Sequence, residues 1–218
     1  MLRLRNVKNK ELLMNSSSYL VKNPKDYCGK WQEYFHNDHP LHIEVGCGKG
    51  KYLIEMALTY PEINFIGIEQ YDSVIVRALQ KVPEEVSNLC FIRMNALEID
   101  EVFQQEVDTL YLNFSDPWPK RSQKNRRLTS PVFLQKYDKI FKQDAHIIQK
   151  TDNRNLFEYS LVSLSQYGYF FNQVCLDLHH SDIAPGVMTE YEERFVRLGQ
   201  PIYRLEAVKK MTNKVKIM

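Results

Sequence analysis

The sequence predicts an α/β fold: a mostly parallel sheet with helices on both faces and an antiparallel C-terminal edge strand. Three observations carry this. From residue 41 onward, short apolar runs alternate with segments of helical periodicity, the order expected of strand–helix–strand units. Several of the apolar runs are nearly continuous rather than alternating, as in strands covered on both sides. The last two strand-like runs lack the usual helical crossover pattern, which suggests an antiparallel pair at the edge.

The elements follow in order. Residues 1–38 are irregular and polar, with a short helix expected around 30–35. Residues 41–45 form a buried strand that ends at a glycine turn. Residues 51–60 are helical, with Leu53, Ala57 and Leu58 on one face and Pro61 closing the helix. Strand 64–68 follows, then helix 71–81 with Val74, Ile75, Ala78 and Leu79 at helical spacing, strand 89–93, a short helix or turn at 98–103, and strand 109–114. In the second half, Thr129 or Ser130 can cap a helix that carries Pro131 in its first turn. Strand 145–149, helix 153–167 ended by Gly168, strand 170–176, a loop at 180–188, helix 190–198 and strand 202–207 complete the chain. This divides the protein into an N-terminal basic extension, 1–38, and one domain, 39–218.

Composition narrows the function. A chain of 218 residues with 44% apolar and 26% charged residues can bury a core of its own. Its longest apolar runs are about five residues, far short of the ~20 that span a membrane, and no signal peptide opens it. Cys28, Cys47, Cys90 and Cys175 form no CxxC pair, so neither a metal site nor a disulfide scaffold is expected, and a cytoplasmic location fits. The net charge is only +2, but the bases are clustered. Arg3, Arg5, Lys8 and Lys10 precede the first acid, residues 120–127 hold five bases and no acid, and Lys209, Lys210, Lys214 and Lys216 close the chain. Three basic islands suggest a polyanion footprint, with an ordinary solvated face as the alternative.

Ligands of such sheets bind outside the carboxyl ends of the strands, and the motifs fall there. EVGCGKGKYL, from Glu44 to Leu53, follows a strand and opens a helix. Gly46 and Gly48 suit a tight turn, and Gly50 lets the helix pack closely. Glu44 would repel a pyrophosphate but attract an ammonium such as that of S-adenosylmethionine. Glu69 ends the second strand, within reach of two ribose hydroxyls, and Asn95, just past the third, could meet the adenine edge or cap a helix. LNFSDPWPKRSQKNRRLTSP places Asp116 beyond the fourth strand, a proline on each side of Trp118, and then the basic run, which fits a nucleobase and phosphate site. Asp152, in QKTDNRNLFEYS, is either a base contact or a helix cap. Thr189 and Glu192, in TEYEERF, form a capping-box sequence that does not exclude a ligand role. No histidine falls in a nucleophile arrangement.

Together PLHIEVGCGKG, NFIGIE, LYLNFSDPWPK, RRLTSPVFL, KTDNRNLFEYS and TEYEERF resemble the bacterial tRNA (guanine-N7-)-methyltransferase family, from about Arg5 to Glu206. The resemblance implies the class I methyltransferase sheet, which is Rossmann-like, and methylation of guanine N7 at nucleotide 46 in the tRNA variable loop. It matches Glu44, Glu69, Asn95 and Asp116 to contacts with the S-adenosylmethionine donor, and Lys120, Asp152 and the Thr189–Glu192 segment to substrate contacts. Three positions depart from the family's pattern: Asn95 stands for an aspartate, Gln123 for a histidine and Asn125 for a lysine.

Guanine N7 already carries a lone pair, so the expected task is alignment rather than proton removal. Asp116 and Asp152 are the expected catalytic carboxylates, and Lys120, Arg126 and Arg127 the phosphate contacts. The expected partner is tRNA, without metal or membrane, acting on a monomer or homodimer. A small-metabolite methyltransferase and a tRNA-binding protein without catalysis are the alternatives.

Overall fold

The computed structural model describes residues 9–211. Arg3, Arg5 and Lys8 of the first basic island, and Lys214 and Lys216 of the last, lie outside the described residues. Along the chain run α1 (Lys10–Ser16), β1 (Leu20–Val21), α2 (Trp31–Phe35), β2 (Leu41–Val45), α3 (Lys51–Thr59), β3 (Asn64–Glu69), α4 (Asp72–Leu79) and β4 (Leu89–Arg93). Then come β5 (Thr109–Asn113), α5 (Pro131–Ile140), β6 (Ala145–Thr151), α6 (Arg154–Gln166), β7 (Phe170–Cys175), α7 (Glu190–Arg197) and β8 (Tyr203–Lys209).

The strands make one eight-stranded sheet in the order β1-β4-β3-β2-β5-β6-β8-β7. All pairings from β1 to β6 are parallel, and β8 is antiparallel to both β6 and β7. Strand side chains alternate between the two faces, and the core divides accordingly. Ile43, Ile66, Ile68, Ile92, Leu110 and Leu112 join α2, α5 and α6 in one cluster. Phe65, Phe91 and Tyr111 join α3 and α4 in the other. Helices therefore cover both faces, as the apolar runs predicted.

Three local outcomes differ from the sequence reading. The C-terminal strand is antiparallel but stands one place in from the edge, with β7 outermost. Leu205 and Ala207 of β8 are fully buried, whereas Phe170 and Val174 of β7 are exposed. The strand whose alternate side chains are fully buried takes the doubly flanked position. Within the segment read as irregular, α1 packs on α4, and β1 adds a strand beside β4; a two-residue strand carries no period to detect. Neither hydroxyl before Pro131 caps α5. Thr129 Oγ1 bonds Ser160 Oγ at 2.8 Å, and Ser130 Oγ donates to the Asn125 carbonyl.

Two basic islands are partly neutralised. Lys10 pairs with Asp72, Lys209 with Asp138 and Lys210 with Asp144. The 120–127 arm folds as a 3-10 turn over Arg121–Arg126 and keeps most of its bases exposed.

Candidate active site

The parallel order β4-β3-β2-β5-β6 brings five sequence-predicted residues to one edge of the sheet, in the spatial order Asn95, Glu69, Glu44, Asp116, Asp152. With strands ~4.8 Å apart, this row spans roughly 19 Å, the length of a nucleoside with a substituent at each end. The order of connection reverses between β2 and β5, the place where open α/β sheets take ligands.

Glu44 lies at this reversal and is 2% exposed. Its Oε1 accepts from Asn113 Nδ2 of β5 at 2.8 Å, while Oε2 is buried without a partner. Burial pushes its carboxyl up from 4.5 to about 8, against the Asn113 bond and the Lys150 charge, which favour the anion. A buried acceptor lacking a donor is costly unless a ligand supplies one.

The glycine loop meets the same test. Gly46 (φ 81°) and Gly48 (φ 59°) are left-handed, and a Cβ at either would touch nothing within 4 Å. The loop thus borders open space on the side a ligand would use. Gly50 differs: its Cβ would come within 2.8 Å of Ala78 and 3.0 Å of Phe91, so its glycine serves the packing of α3 on α4. Glu69 ties the loop to the next strand. Its Oε2 accepts from the Gly48 amide at 3.2 Å, and Oε1 from the amides of Gln70 and Tyr71. Burial raises its pKa, those amides oppose the rise, and the charge of Asp116 adds to it, which places the two carboxylates in one field. Asn95 is a cap, as one of its two readings held. Its Oδ1 accepts from Leu97 at 3.0 Å, and the residue lines a cleft of about 640 Å³ together with Gln70, Arg93 and Met94. The donor-side residues thus fit a nucleoside carrying an ammonium.

Beyond β5 the backbone is strained. Phe114 (φ 51°) and Trp118 (φ 41°) adopt left-handed conformations rare outside glycine. Asp116 lies between them, exposed. Phe114 stacks on Tyr191 and Phe195 of α7, which joins this loop to the C-terminal helix. Asp152 follows β6 at once. It is half-buried, its pKa raised by that burial, and it does not cap α6: Asn153 does, accepting from Leu156 at 2.9 Å.

Three expected substrate contacts also bond within the protein. Arg127 points inward. Its Nε donates to the Pro117 carbonyl at 3.0 Å, its Nη2 to that of Trp118 at 3.1 Å, and its guanidinium lies over Tyr159. It pins the loop. Glu192 is fully buried and accepts from Lys150 Nζ at 3.1 and 3.2 Å and from His179 Nε2 at 3.0 Å. Thr189 and Glu192 close a complete capping box, which starts α7. Arg126 and Lys120 remain exposed.

Lys150, 4% exposed, also donates to the carbonyls of Pro185 and Val187. It fastens the 185–192 segment above the sheet edge. Burial lowers its pKa and the Glu192 charge opposes that. On the outside, Lys49 and Lys81 pair with Glu190, and Lys51 with Glu193, so α7 leans over the glycine loop. Asn113 and Gly67 were missed in the sequence. Each had a signal: a polar residue ending an apolar strand, and a glycine inside one. A Cβ on Gly67 would meet Phe91 at 2.6 Å and Cys47 Sγ at 2.9 Å.

Among the described residues, no helix is long and apolar enough to cross a membrane, and no group of three or more His, Cys, Asp or Glu side chains could hold a metal ion. His42 bonds the Tyr111 hydroxyl at 3.0 Å, with burial pulling its pKa down to about 4, a core role.

Comparisons with known proteins show the family and the fold. Residues 38–205 match a family described as putative methyltransferase. In fold, the chain is similar to the 16S rRNA methyltransferase KamB, with a TM-score of 0.65 at 12% identity over 84% of this chain and 94% of that one. It is likewise similar to a mutant 16S rRNA (adenine(1408)-N(1))-methyltransferase from Catenulisporales acidiphilia solved with cosubstrate SAM, with a TM-score of 0.60 at 11% identity over 85% and 92%. In sequence, it is 51% identical to the tRNA (guanine-N(7)-)-methyltransferase of Bacillus licheniformis, covering 90% of this chain and 93% of that one. It is 50% identical to that of Listeria monocytogenes, covering 91% and 94%. Identity of this degree over nine-tenths of both chains shows that the chain belongs to the tRNA (guanine-N(7)-)-methyltransferase family.

Proposed function

We propose that this protein transfers a methyl group from S-adenosylmethionine to N7 of a guanine in tRNA, nucleotide 46 of the variable loop. The observation that carries the reading is the row of polar residues at five adjacent parallel strand ends, with an exposed basic arm beyond its acidic half. On this reading, residues 39–218 form the methyltransferase domain. Residues 1–38 form an extension whose described part lengthens the sheet beside β4. Four free cysteines fit a cytoplasmic protein.

When bound, the donor supplies a methyl group activated on a sulfonium. Glu44 Oε2 receives the donor's ammonium, Glu69 its ribose hydroxyls and Asn95 Nδ2 its adenine edge. Gly46 and Gly48 leave room for the chain between. Asp116 stands where donor and base meet, and Asp152 accepts from guanine N1–H or the exocyclic amine. Those groups become more acidic as N7 is alkylated, so the bond to Asp152 strengthens toward the transition state. No side chain has to remove a proton from N7, which is an acceptor in the neutral base. Lys120, Arg121, Lys124 and Arg126 hold phosphates.

The test is transfer of labelled methyl to unmodified tRNA, followed by borohydride–aniline scission. Cleavage at nucleotide 46 supports the reading. Labelling of small metabolites but not of tRNA would replace it with a small-molecule methyltransferase.

A further inference from the structure

Trp118 has no task in the scheme above, yet much of the loop's construction serves to present it. Its backbone is held at φ 41°, and prolines 117 and 119 limit the flanking torsions. Arg127 binds the carbonyls of Pro117 and Trp118. All of these restraints act on the backbone. The indole itself is partly exposed and is covered by the guanidinium of Arg126, 3.6 Å from the ring centroid. Arg126 is exposed and has no carboxylate partner among the described residues. A rigid aromatic face, two residues beyond Asp116 and covered by a displaceable cation, is the arrangement that receives a nucleobase.

We propose that Trp118 is the platform on which the target guanine stacks, and that Arg126 leaves the indole face for a tRNA phosphate as the base enters. The proposal rests on the methyltransferase reading and adds to it a positioning surface and a source of rate. A guanine drawn out of its tertiary contacts loses its stacking, which the indole restores. The reaction then adds a second attraction. The N7 lone pair forms the bond to the methyl carbon, the carbon–sulfur bond breaks, and its electron pair stays on sulfur as a neutral thioether. The positive charge thereby passes from sulfonium to purine. Trp118 already holds one cation on that face, and a purine gaining positive charge is held more tightly as the reaction proceeds. Attraction that grows toward the transition state raises the rate of the chemical step. Exchange of Arg126 to a phosphate offsets the loss of its contact with the indole.

The experiment compares Trp118→Phe and Trp118→Ala with the parent, using unmodified tRNA transcript. Single-turnover rates are measured at saturating tRNA and donor, donor affinity by calorimetry, and binding of methylated against unmethylated tRNA by filter retention. The Ala variant should lose roughly 10- to 100-fold in rate and keep donor affinity within about twofold. The Phe variant should recover most of the rate. The parent's preference for methylated tRNA should shrink in the Ala variant and persist in the Phe variant. Of the two tryptophans Trp31 is 1% exposed, so quenching of emission by tRNA should belong to Trp118 and vanish in the Phe variant. Parental rates in the Ala variant, or unchanged quenching in the Phe variant, would overturn the proposal. So would a matched loss of donor affinity in both, which would make the indole a packing element. If the parent itself methylates no tRNA, the failure lies in the functional reading instead.

Discussion

The two halves of the sheet edge are built on opposite physical terms. On the side proposed for the donor, the ends of β2, β3 and β4, the polar groups are buried or tied to backbone amides. Glu69 holds three amides, Asn95 one, and Glu44 is enclosed with a single unmet oxygen. On the acceptor side, beyond β5 and β6, Asp116, Lys120 and Arg126 are exposed, and order comes from a strained backbone and a buried ion cluster beneath. A small donor can be enclosed, which suits side chains held in place by local turns. A folded RNA cannot be enclosed, which suits a stiff surface braced from below.

Breaking that brace should have the largest effect. Glu192→Ala leaves Lys150 buried without its partner and should cost about 3–5 kcal/mol, seen as a large fall in melting temperature. An unchanged melting temperature would mean that Lys150 finds another anion, and the acceptor side would not depend on α7.

Asp152→Ala should come next. It should lower single-turnover methylation roughly 10- to 100-fold while donor affinity stays within about twofold, since a bond to a charged group is worth about 1.5–3 kcal/mol. Equal loss of donor binding would merge the two halves into one site.

Glu44→Gln sharpens the comparison through pH. The folded carboxyl titrates near 8, above its ordinary 4.5, so its contribution to stability is complete at low pH and is lost as pH rises through 8. The parent should therefore lose stability relative to the variant between about pH 5 and 8. A bound ammonium favours the ionised form, so donor binding at pH 7 should release a proton from the parent and none from the variant. Calorimetry in buffers of different ionisation enthalpy measures this. Identical proton release would remove Glu44 from the ammonium site.

The smallest effect separates neighbours in the arm. Replacing Lys120, Arg121 and Lys124 by alanine should flatten the dependence of log tRNA affinity on log salt by about 2–3, at ~0.7–0.9 per lost contact. Melting should stay within about 0.5 kcal/mol per substitution. Arg127→Ala should do the reverse, lowering the melting temperature with little change in salt slope. Equal behaviour of the two variants would erase the distinction between brace and surface.

The sequence by itself determined the row. Apolar strands fixed the sheet, and the polar residues at or just past the end of each strand fixed what stands at its carboxyl end, because strand direction and turn position are local properties. The glycine loop was equally legible, since only glycine takes its left-handed turns without strain. Tertiary structure decided which charges are sheltered. Arg126 and Arg127 are adjacent and identical in type, yet one lies over an open indole and the other binds two carbonyls. Glu192 read as half of a capping box, and only the fold brings Lys150 and His179, 42 and 13 residues away, onto its carboxylate. β8 displaced β7 from the interior because Leu205 and Ala207 need neighbours on both sides. In each case the deciding term is desolvation, which depends on atoms brought together from distant parts of the chain.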